Sequence, residues 1–168
     1  MGLMDILEQY ASAATAPAPE QAHAHFDTVA ASAGPDELAG GITHALQSGD
    51  ASFADSVARL FGNSNPDQRV GILQRLIAAA GPGVLSSIAG GALAQFAPVA
   101  TGGPVAPADA ANVSPAQAGE LASAARQHDP GVVERVGAFY AQHPTVVKAL
   151  GAAALTLAMN HMARRGQQ

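Results

Sequence analysis

Several residue types are missing or scarce in this chain of 168 residues, and each absence excludes a class of structure or chemistry. There is no cysteine, so disulfides, thiolate metal sites and a cysteine nucleophile are excluded. There is no tryptophan and aromatic residues make up only 4%, so the core must be thin and built from aliphatic side chains and alanine. No basic residue precedes Arg59, so the first part of the chain is purely acidic.

The charge is therefore divided along the chain. Residues 1–58 carry eight carboxylates and a charge of −8, whereas residues 59–168 carry five acidic and eight basic side chains, a charge of +3, which together give −5. Such a chain can fold its acidic part onto its own basic part, dock it on another copy, or leave it to repel anionic partners. The acidic balance argues against a nucleic-acid partner, which needs a clustered basic face.

A long apolar run and a recognisable targeting segment are also missing. The longest strongly apolar stretch, Ala149–Met159, has 11 residues, which is too short to span a bilayer. Asp5 and Glu8 lie in the first ten residues, where a secretory signal would carry basic side chains. We therefore expect a cytoplasmic protein that does not insert into a membrane.

What the chain has in abundance is alanine, with 40 residues, about half of its hydrophobic content. Alanine has the best helix propensity, and prolines and glycines divide the chain into pieces, with Asn65-Pro66 and Ser114-Pro115 as helix starts. The composition predicts an all-α bundle of about eight or nine short helices. Its predicted parts are a tethered amphipathic helix at 1–14, a helical domain with a first hairpin at 20–96, a flexible linker at 97–113, and C-terminal helices with a second hairpin at 114–165.

The two predicted hairpins resemble each other in sequence. Arg69-Val70-Gly71 recurs as Arg135-Val136-Gly137, and residues 82–93 resemble residues 144–155. Each of these stretches begins a predicted helix after a proline, and the first helix is expected to run to about Phe96. Duplication and chance similarity between alanine- and glycine-rich helices both stay open. Small residues at four-residue spacing predict a ridge on the second helix of each hairpin, for packing in the core or against another subunit. The ridge residues are Gly83, Ser87, Gly91, Ala149 and Ala153.

The N-terminal helix is the best candidate for a functional segment. Its apolar residues fall at i, i+3, i+4 and i+7 and form one face. A helix this short is marginal alone in water, and the stiff spacer Thr15–Pro19 (TAPAP) separates it from the next helix. It must therefore dock either on its own body or in a groove of a neighbouring copy.

The sequence predicts no site for catalysis, a metal or a cofactor. His23 and His25 are two residues apart and point to different faces of a helix, and the other histidines are scattered along the chain. No serine lies in a Gly-x-Ser-x-Gly motif, and the Gly-Pro-Gly at 81–83 lacks the lysine of a phosphate-binding loop. We therefore expect that the protein is not an enzyme.

Two stretches carry a resemblance to a known family. The opening Met1-Gly2-Leu3-Met4-Asp5 and the stretch from Gly40-Gly41-Ile42 through Leu46-Gln47-Ser48-Gly49 resemble the YidB-like family of small all-helical bacterial proteins. The similarity extends loosely through residues 59–63 and covers the first third of the chain. The alanine- and proline-rich linkers and the C-terminal hairpin depart from the family's pattern. The resemblance implies an all-α fold and a bacterial origin, and it supplies no catalytic residue or ligand.

Together these features lead to one hypothesis and one alternative. The hypothesis is a non-enzymatic structural protein that self-associates head-to-tail, as a ring or a filament, by docking its acidic N-terminal arm on the more basic remainder of the next copy. The alternative is a monomeric helical binding module for an apolar ligand or a partner helix. The predicted subunit interface consists of the apolar anchors Leu3, Ile6, Leu7 and Tyr10 and the charge partners Arg59, Arg69 and Arg75.

Overall fold

The computed structural model describes residues 2–12, 18–49 and 51–167. Within them the fold is all-α, with twelve α-helices, three short 3₁₀ turns and no strand, which confirms the predicted bundle of short helices. In chain order the helices are α1 (Leu3–Ser12), α2 (Pro19–Ser32), α3 (Pro35–Ser48), α4 (Phe53–Gly62), α5 (Pro66–Ala80), α6 (Pro82–Leu85), α7 (Ala97–Ala100), α8 (Pro107–Ala111), α9 (Pro115–His128), α10 (Val132–Ala141), α11 (Pro144–Val147) and α12 (Ala152–Gly166).

The helices form two compact units. The terminal unit takes its residues from both ends of the chain, 1–50 and 137–168. In it α12 packs against α3, α1 and α2 around the buried side chains of Phe26, Ile42, Leu46, Leu155 and Met159.

The central unit consists of residues 51–136. Here α9 packs against α4 and α5, and α5 also contacts α7 and α8. Its core includes the fully buried side chains of Val57, Leu60, Phe61, Leu73 and Leu121. Both cores are therefore aliphatic with a few aromatic rings, as the composition indicates.

Helix starts follow signals that are local in the sequence. Proline occupies the first turn of α2, α3, α5 and α9, where the missing N–H has no cost because it would be unpaired. Asn65 caps α5 by accepting the Gln68 N–H, while the Gln68 side chain accepts the Asn65 N–H, each at 2.9 Å. Ser114 and Gln117 form the same capping box on α9. Both of the predicted start signals are therefore used.

The structure differs from the prediction after Pro82, where the pattern predicts one helix to about Phe96. Instead α6 ends at Leu85, and short 3₁₀ turns follow at Ile88–Gly91 and Ala94–Phe96. The backbone is left-handed at Ala89 (φ 50°), Gly90 (φ 65°) and Gly91 (φ 87°). Because glycine adopts this conformation without steric cost, Gly90 and Gly91 continue the left-handed turn that begins at Ala89, and the helix does not resume there.

The predicted ridge of small residues does not form, so that prediction is wrong. Gly83 and Ser87 are exposed and no longer share a helix with Gly91. Ala149 and Ala153 lie on opposite sides of Gly151 (φ 90°), where the chain bends by 119°. Four-residue spacing places side chains on one face only when the helix is continuous.

The two similar stretches nevertheless share a local pattern. A helix of four residues follows each proline, as α6 and as α11. The left-handed residues Ala89 and Gly151 then occupy matching positions, seven residues after Pro82 and Pro144. Beyond that point the first stretch continues as 3₁₀ turns and the second as the 15-residue α12. The likeness is local, and duplication stays a prediction.

Residues 97–113 are structured, whereas the sequence predicts a flexible linker. They contain α7 and α8, and the side chains of Val105, Ala110 and Val113 are buried. Helices of four or five residues are too short to show a period in the sequence, so single apolar residues reach the core without a visible pattern. The stretch lies inside the central unit, and the unit boundaries fall at 50/51 and 136/137.

In the part of the chain that the structure describes, no single helix is both long enough and apolar enough to cross a membrane. One bent pair of segments, Pro144–Leu150 and Ala152–Gly166, reaches that length and composition when its two members are taken together.

Candidate functional site

The N-terminal helix α1 docks on its own chain, inside the terminal unit. It packs against α12 and touches α2, and we call this contact the α1 seat. Ile6 is 2% exposed and Tyr10 is 1% exposed, so two of the four predicted anchors are buried in the seat. The other two, Leu3 and Leu7, are half-buried. Of the spacer predicted at Thr15–Pro19, residues 15–17 lie outside the described residues.

Hydrogen bonds hold the C-terminal end of α1 in the seat. The Tyr10 hydroxyl lies 3.2 Å from Nδ1 of His25 on α2, and Asn160 of α12 donates its side-chain N–H to the Tyr10 carbonyl at 3.0 Å. The last carbonyls of a helix have no partner within the helix, so Asn160 satisfies one of them from outside. Burial raises the pKa of the Tyr10 hydroxyl, which therefore stays protonated at neutral pH.

The N-terminal end of α1 borders a groove of about 260 Å³, lined by Met4, Leu7, Glu8, Ala163, Gly166 and Gln167. Met4 is 65% exposed and is the one exposed large apolar side chain among the residues that the structure describes. Small-molecule sites usually measure about 300–1,000 Å³. The groove is therefore better matched to one or two side chains of another protein than to a small ligand.

Charges of both signs lie at this end of the seat. Because Tyr10 meets Asn160 while Met4 lies near Ala163 and Gly166, α1 runs antiparallel to α12. The exposed carboxylates of α1 therefore lie towards the exposed arginines in the last turn of α12. These groups, Asp5, Glu8, Arg164 and Arg165, form no ion pair with a described residue.

The predicted charge partners lie in the central unit, and two of them have local contacts there. The Arg69 guanidinium lies over the Phe61 ring, 5.0 Å from its centroid, and donates to a backbone carbonyl at 3.2 Å. Arg75 donates to the carbonyl one turn earlier in its own helix at 2.8 Å. Arg59 is exposed near the end of α4, where a cation suits the helix dipole. Their role at a subunit interface stays a prediction.

Close helix packing does depend on small residues, but at glycines outside the predicted ridge. In the terminal unit, a Cβ added to Gly41 of α3 would lie 2.9 Å from the Ala158 carbonyl oxygen of α12. In the central unit, a Cβ added to Gly119 of α9 would lie 2.8 Å from the Ala54 carbonyl oxygen of α4. Small residues also stand four residues apart in these helices, at Gly41 and Ala45 and at Gly119 and Ser123. Because this spacing recurs throughout an alanine-rich chain, it does not single out the two close contacts.

Two histidines that are distant in sequence meet in the terminal unit. The rings of His44 on α3 and His161 on α12 stack with centroids 4.4 Å apart and planes inclined by 18°. Burial lowers the pKa of His161, and the charges of His44, Arg165 and Arg164 lower it further. Sequence spacing could not show this pair, because it joins two helices at opposite ends of the chain. The described residues contain no group of three or more His, Cys, Asp or Glu side chains placed to hold a metal ion.

No protein-family model, curated protein or solved structure matches the chain. The resemblance to the YidB-like family therefore stays a prediction that rests on the short stretches quoted above.

Proposed function

We propose that the protein is a non-enzymatic structural protein that self-associates head-to-tail by exchanging α1 between copies. The α1 seat supports this proposal, because its main contacts, with α12 and α2, lie within one unit and bury the two anchors Ile6 and Tyr10. Every copy carries the same seat, so α1 of one copy can make the same contacts on the next. A contact of this kind is heterologous, and it closes into a ring or continues as a filament.

The connection between α1 and α2 sets how far α1 can reach. Six residues, 13–18, separate the two helices, and six extended residues span at most about 20 Å. Exchange therefore requires that the neighbouring seat approach within that distance. Because the exchanged and the unexchanged states contain the same seat contacts, concentration and the connection decide between them.

Charge contributes to the encounter between copies. In the exchanged state α1 lies beside the last turn of α12 of the next copy, with its arginines Arg164 and Arg165, and Leu3 and Leu7 complete the apolar contact. Arg59, Arg69 and Arg75 of the central unit are proposed as charge partners for the other acidic residues that precede Arg59. Electrostatic complementarity changes association rates more than affinity, and salt screens it. We therefore expect high salt to slow assembly, while loss of an apolar anchor abolishes it.

Substitution within α1 tests the proposal. Ile6→Ser removes a fully buried anchor, a change that costs about 2–5 kcal/mol in a core, whereas Gln9→Ser alters an exposed position of the same helix and is the matched control. Light scattering behind size exclusion is expected to give the unchanged chain and Gln9→Ser a mass above the 16.7 kDa of one chain that rises with concentration. Ile6→Ser should run as a monomer.

The groove beside Met4 favours a second candidate, a monomeric binding module for a partner helix or an apolar ligand. An exposed methionine is adaptable and common at protein-binding surfaces. An unchanged chain that stays monomeric at every concentration would reject self-association and select this second candidate. An oligomer that persists in Ile6→Ser would show that copies associate through another surface.

A further inference from the structure

Two adjacent residues of α12 contact two different helices, α1 and α3. Asn160 holds Tyr10 of α1 through a hydrogen bond of 3.0 Å. The next residue, His161, stacks on His44 of α3. A change at the contact between α3 and α12 therefore acts one residue away from the α1 seat.

We propose that the stacked His44–His161 pair is a pH-sensitive lock that holds α3 against α12 while His161 is neutral and loosens that contact and the α1 seat when His161 is protonated. Neutral aromatic rings stack favourably, and these two have centroids 4.4 Å apart. A protonated His161 would instead carry its charge in a half-buried contact and be repelled by Arg164 and Arg165. Both rings are half-buried, so the repulsion is relieved when the rings turn outwards or the helices separate. Either movement loses the stack.

The surroundings of His161 oppose its protonation. Burial, the ring of His44 across the contact, and Arg165 and Arg164 on α12 all lower its pKa. Two carboxylates on the elements packed against α12 are engaged elsewhere, since Asp27 of α2 pairs with Lys148 and Asp5 of α1 accepts the Gly2 N–H. The other titratable or charged side chains on α3 and on the elements packed against α3 and α12 are Glu8, Tyr10, Glu20, His23, His25, Asp36, Glu37, Glu134, Arg135 and Tyr140.

The direction of the pH effect follows from this shift. An unfolded histidine has a pKa of about 6.5, and the folded value for His161 is lower. Between those two values the unfolded chain binds more protons, so stability is complete above pH of about 6.5 and is lost as pH falls through the folded pKa. The lock therefore opens in acid and is closed at neutral pH.

Thermal unfolding of the full chain as a function of pH tests the lock. Between pH 7 and pH 5 the melting temperature of the unchanged chain should fall by roughly 2–4 °C more than that of His161→Gln. His44→Gln should remove only part of this excess, because burial and the two arginines still lower the pKa of His161, and the double variant should match His161→Gln. A pH slope in His44→Gln equal to that of the unchanged chain would contradict the role of the stack. His23→Gln, which lies outside the stack, should follow the unchanged chain. Equal pH slopes in the unchanged chain and His161→Gln would overturn the proposal, whatever their absolute stabilities.

Amide hydrogen exchange tests the link to the α1 seat. After correction for the intrinsic effect of pH, protection of the α1 amides should fall at pH 5 in the unchanged chain and not in His161→Gln. If protection of the α1 amides falls equally in both proteins, protonation of His161 does not loosen the α1 seat, and that part of the proposal is wrong. This inference concerns a single chain and stands whether or not α1 is exchanged between copies.

Discussion

Gly41 lies where α3 and α12 come closest, so a side chain at this position has a calculable cost. An added Cβ would lie 2.9 Å from the Ala158 carbonyl oxygen and 3.0 Å from Cγ of Met162. Met162 can turn aside, but the carbonyl belongs to the backbone of α12 and moves only with that helix. Overpacking of this kind costs about 1–3 kcal/mol, and replacing glycine by alanine within a helix returns about 0.5–1 kcal/mol. We expect Gly41→Ala to lower the free energy of unfolding by about 1 kcal/mol, and at most by about 2.5 kcal/mol.

The neighbouring glycine provides a matched control. A Cβ added to Gly40 would lie 3.2 Å from Nη1 of Arg165, the far end of a flexible side chain that can turn into solvent. Gly40→Ala therefore keeps the gain in helix propensity without the clash, and should raise the free energy of unfolding by about 0.5 kcal/mol. The same glycine-to-alanine change at adjacent positions is therefore expected to change the free energy of unfolding in opposite directions.

Urea unfolding followed by tyrosine fluorescence measures both variants. The chain contains two tyrosines and no tryptophan, and Tyr10 and Tyr140 both belong to the terminal unit, so the signal reports on the unit that contains Gly41. The midpoint should move down for Gly41→Ala and up for Gly40→Ala, with an unchanged slope. A Gly41→Ala protein as stable as Gly40→Ala would show that α3 and α12 are not as close as the structure has them.

Three further predictions concern the central unit. Gly119→Ala should lower its stability in urea unfolding followed by circular dichroism, because the new Cβ meets a backbone carbonyl, whereas Gly62→Ala, with no atom nearer than 3.5 Å, should not. Asn65→Ala removes the capping box of α5 and should cost about 1 kcal/mol in the same assay. The hydrogen bond from Arg135 lowers the pKa of Asp129 below the ordinary aspartate value of 3.8. The ion pair therefore stabilises the fold above pH 3.8, and this stabilisation is lost as pH falls through the pKa of Asp129 in the folded protein. Arg135→Gln should raise that pKa in a carboxyl NMR titration, and an unchanged value would contradict the ion pair.

The sequence predicted well what depends on near neighbours. The capping signals at Asn65 and Ser114 start helices as expected, because cap and partner are three residues apart. The helical period of α1 identified Ile6 and Tyr10, which are its buried residues. The long helix predicted after Pro82 does not form, because α6 ends at Leu85 and the backbone turns left-handed at Ala89 and the two glycines that follow it.

The partners in the site could not be predicted from spacing. Asn160 bonds to Tyr10 across 150 residues, and the His44–His161 stack joins helices from opposite ends of the chain. Such contacts depend on which helices become neighbours in the fold, and no local sequence pattern predicts which helices those are. The sequence did not predict the close approach at Gly41 for the same reason, because the atoms that Gly41 approaches belong to α12 and not to its own helix.

If α1 of one copy occupies the seat of another copy, a spin label on α1 must lie close to Asn160 of a different chain. The chain has no cysteine, so Ser12→Cys, at the exposed end of α1, provides a single labelling site. Spin-labelled chain is mixed with ¹⁵N-labelled chain that carries no spin label, so only contact between copies can broaden the observed amide signals. The account predicts broadening around Asn160 in the mixture. If that region stays sharp there but is broadened in a chain that carries both labels, α1 occupies only the seat of its own chain and the account is contradicted.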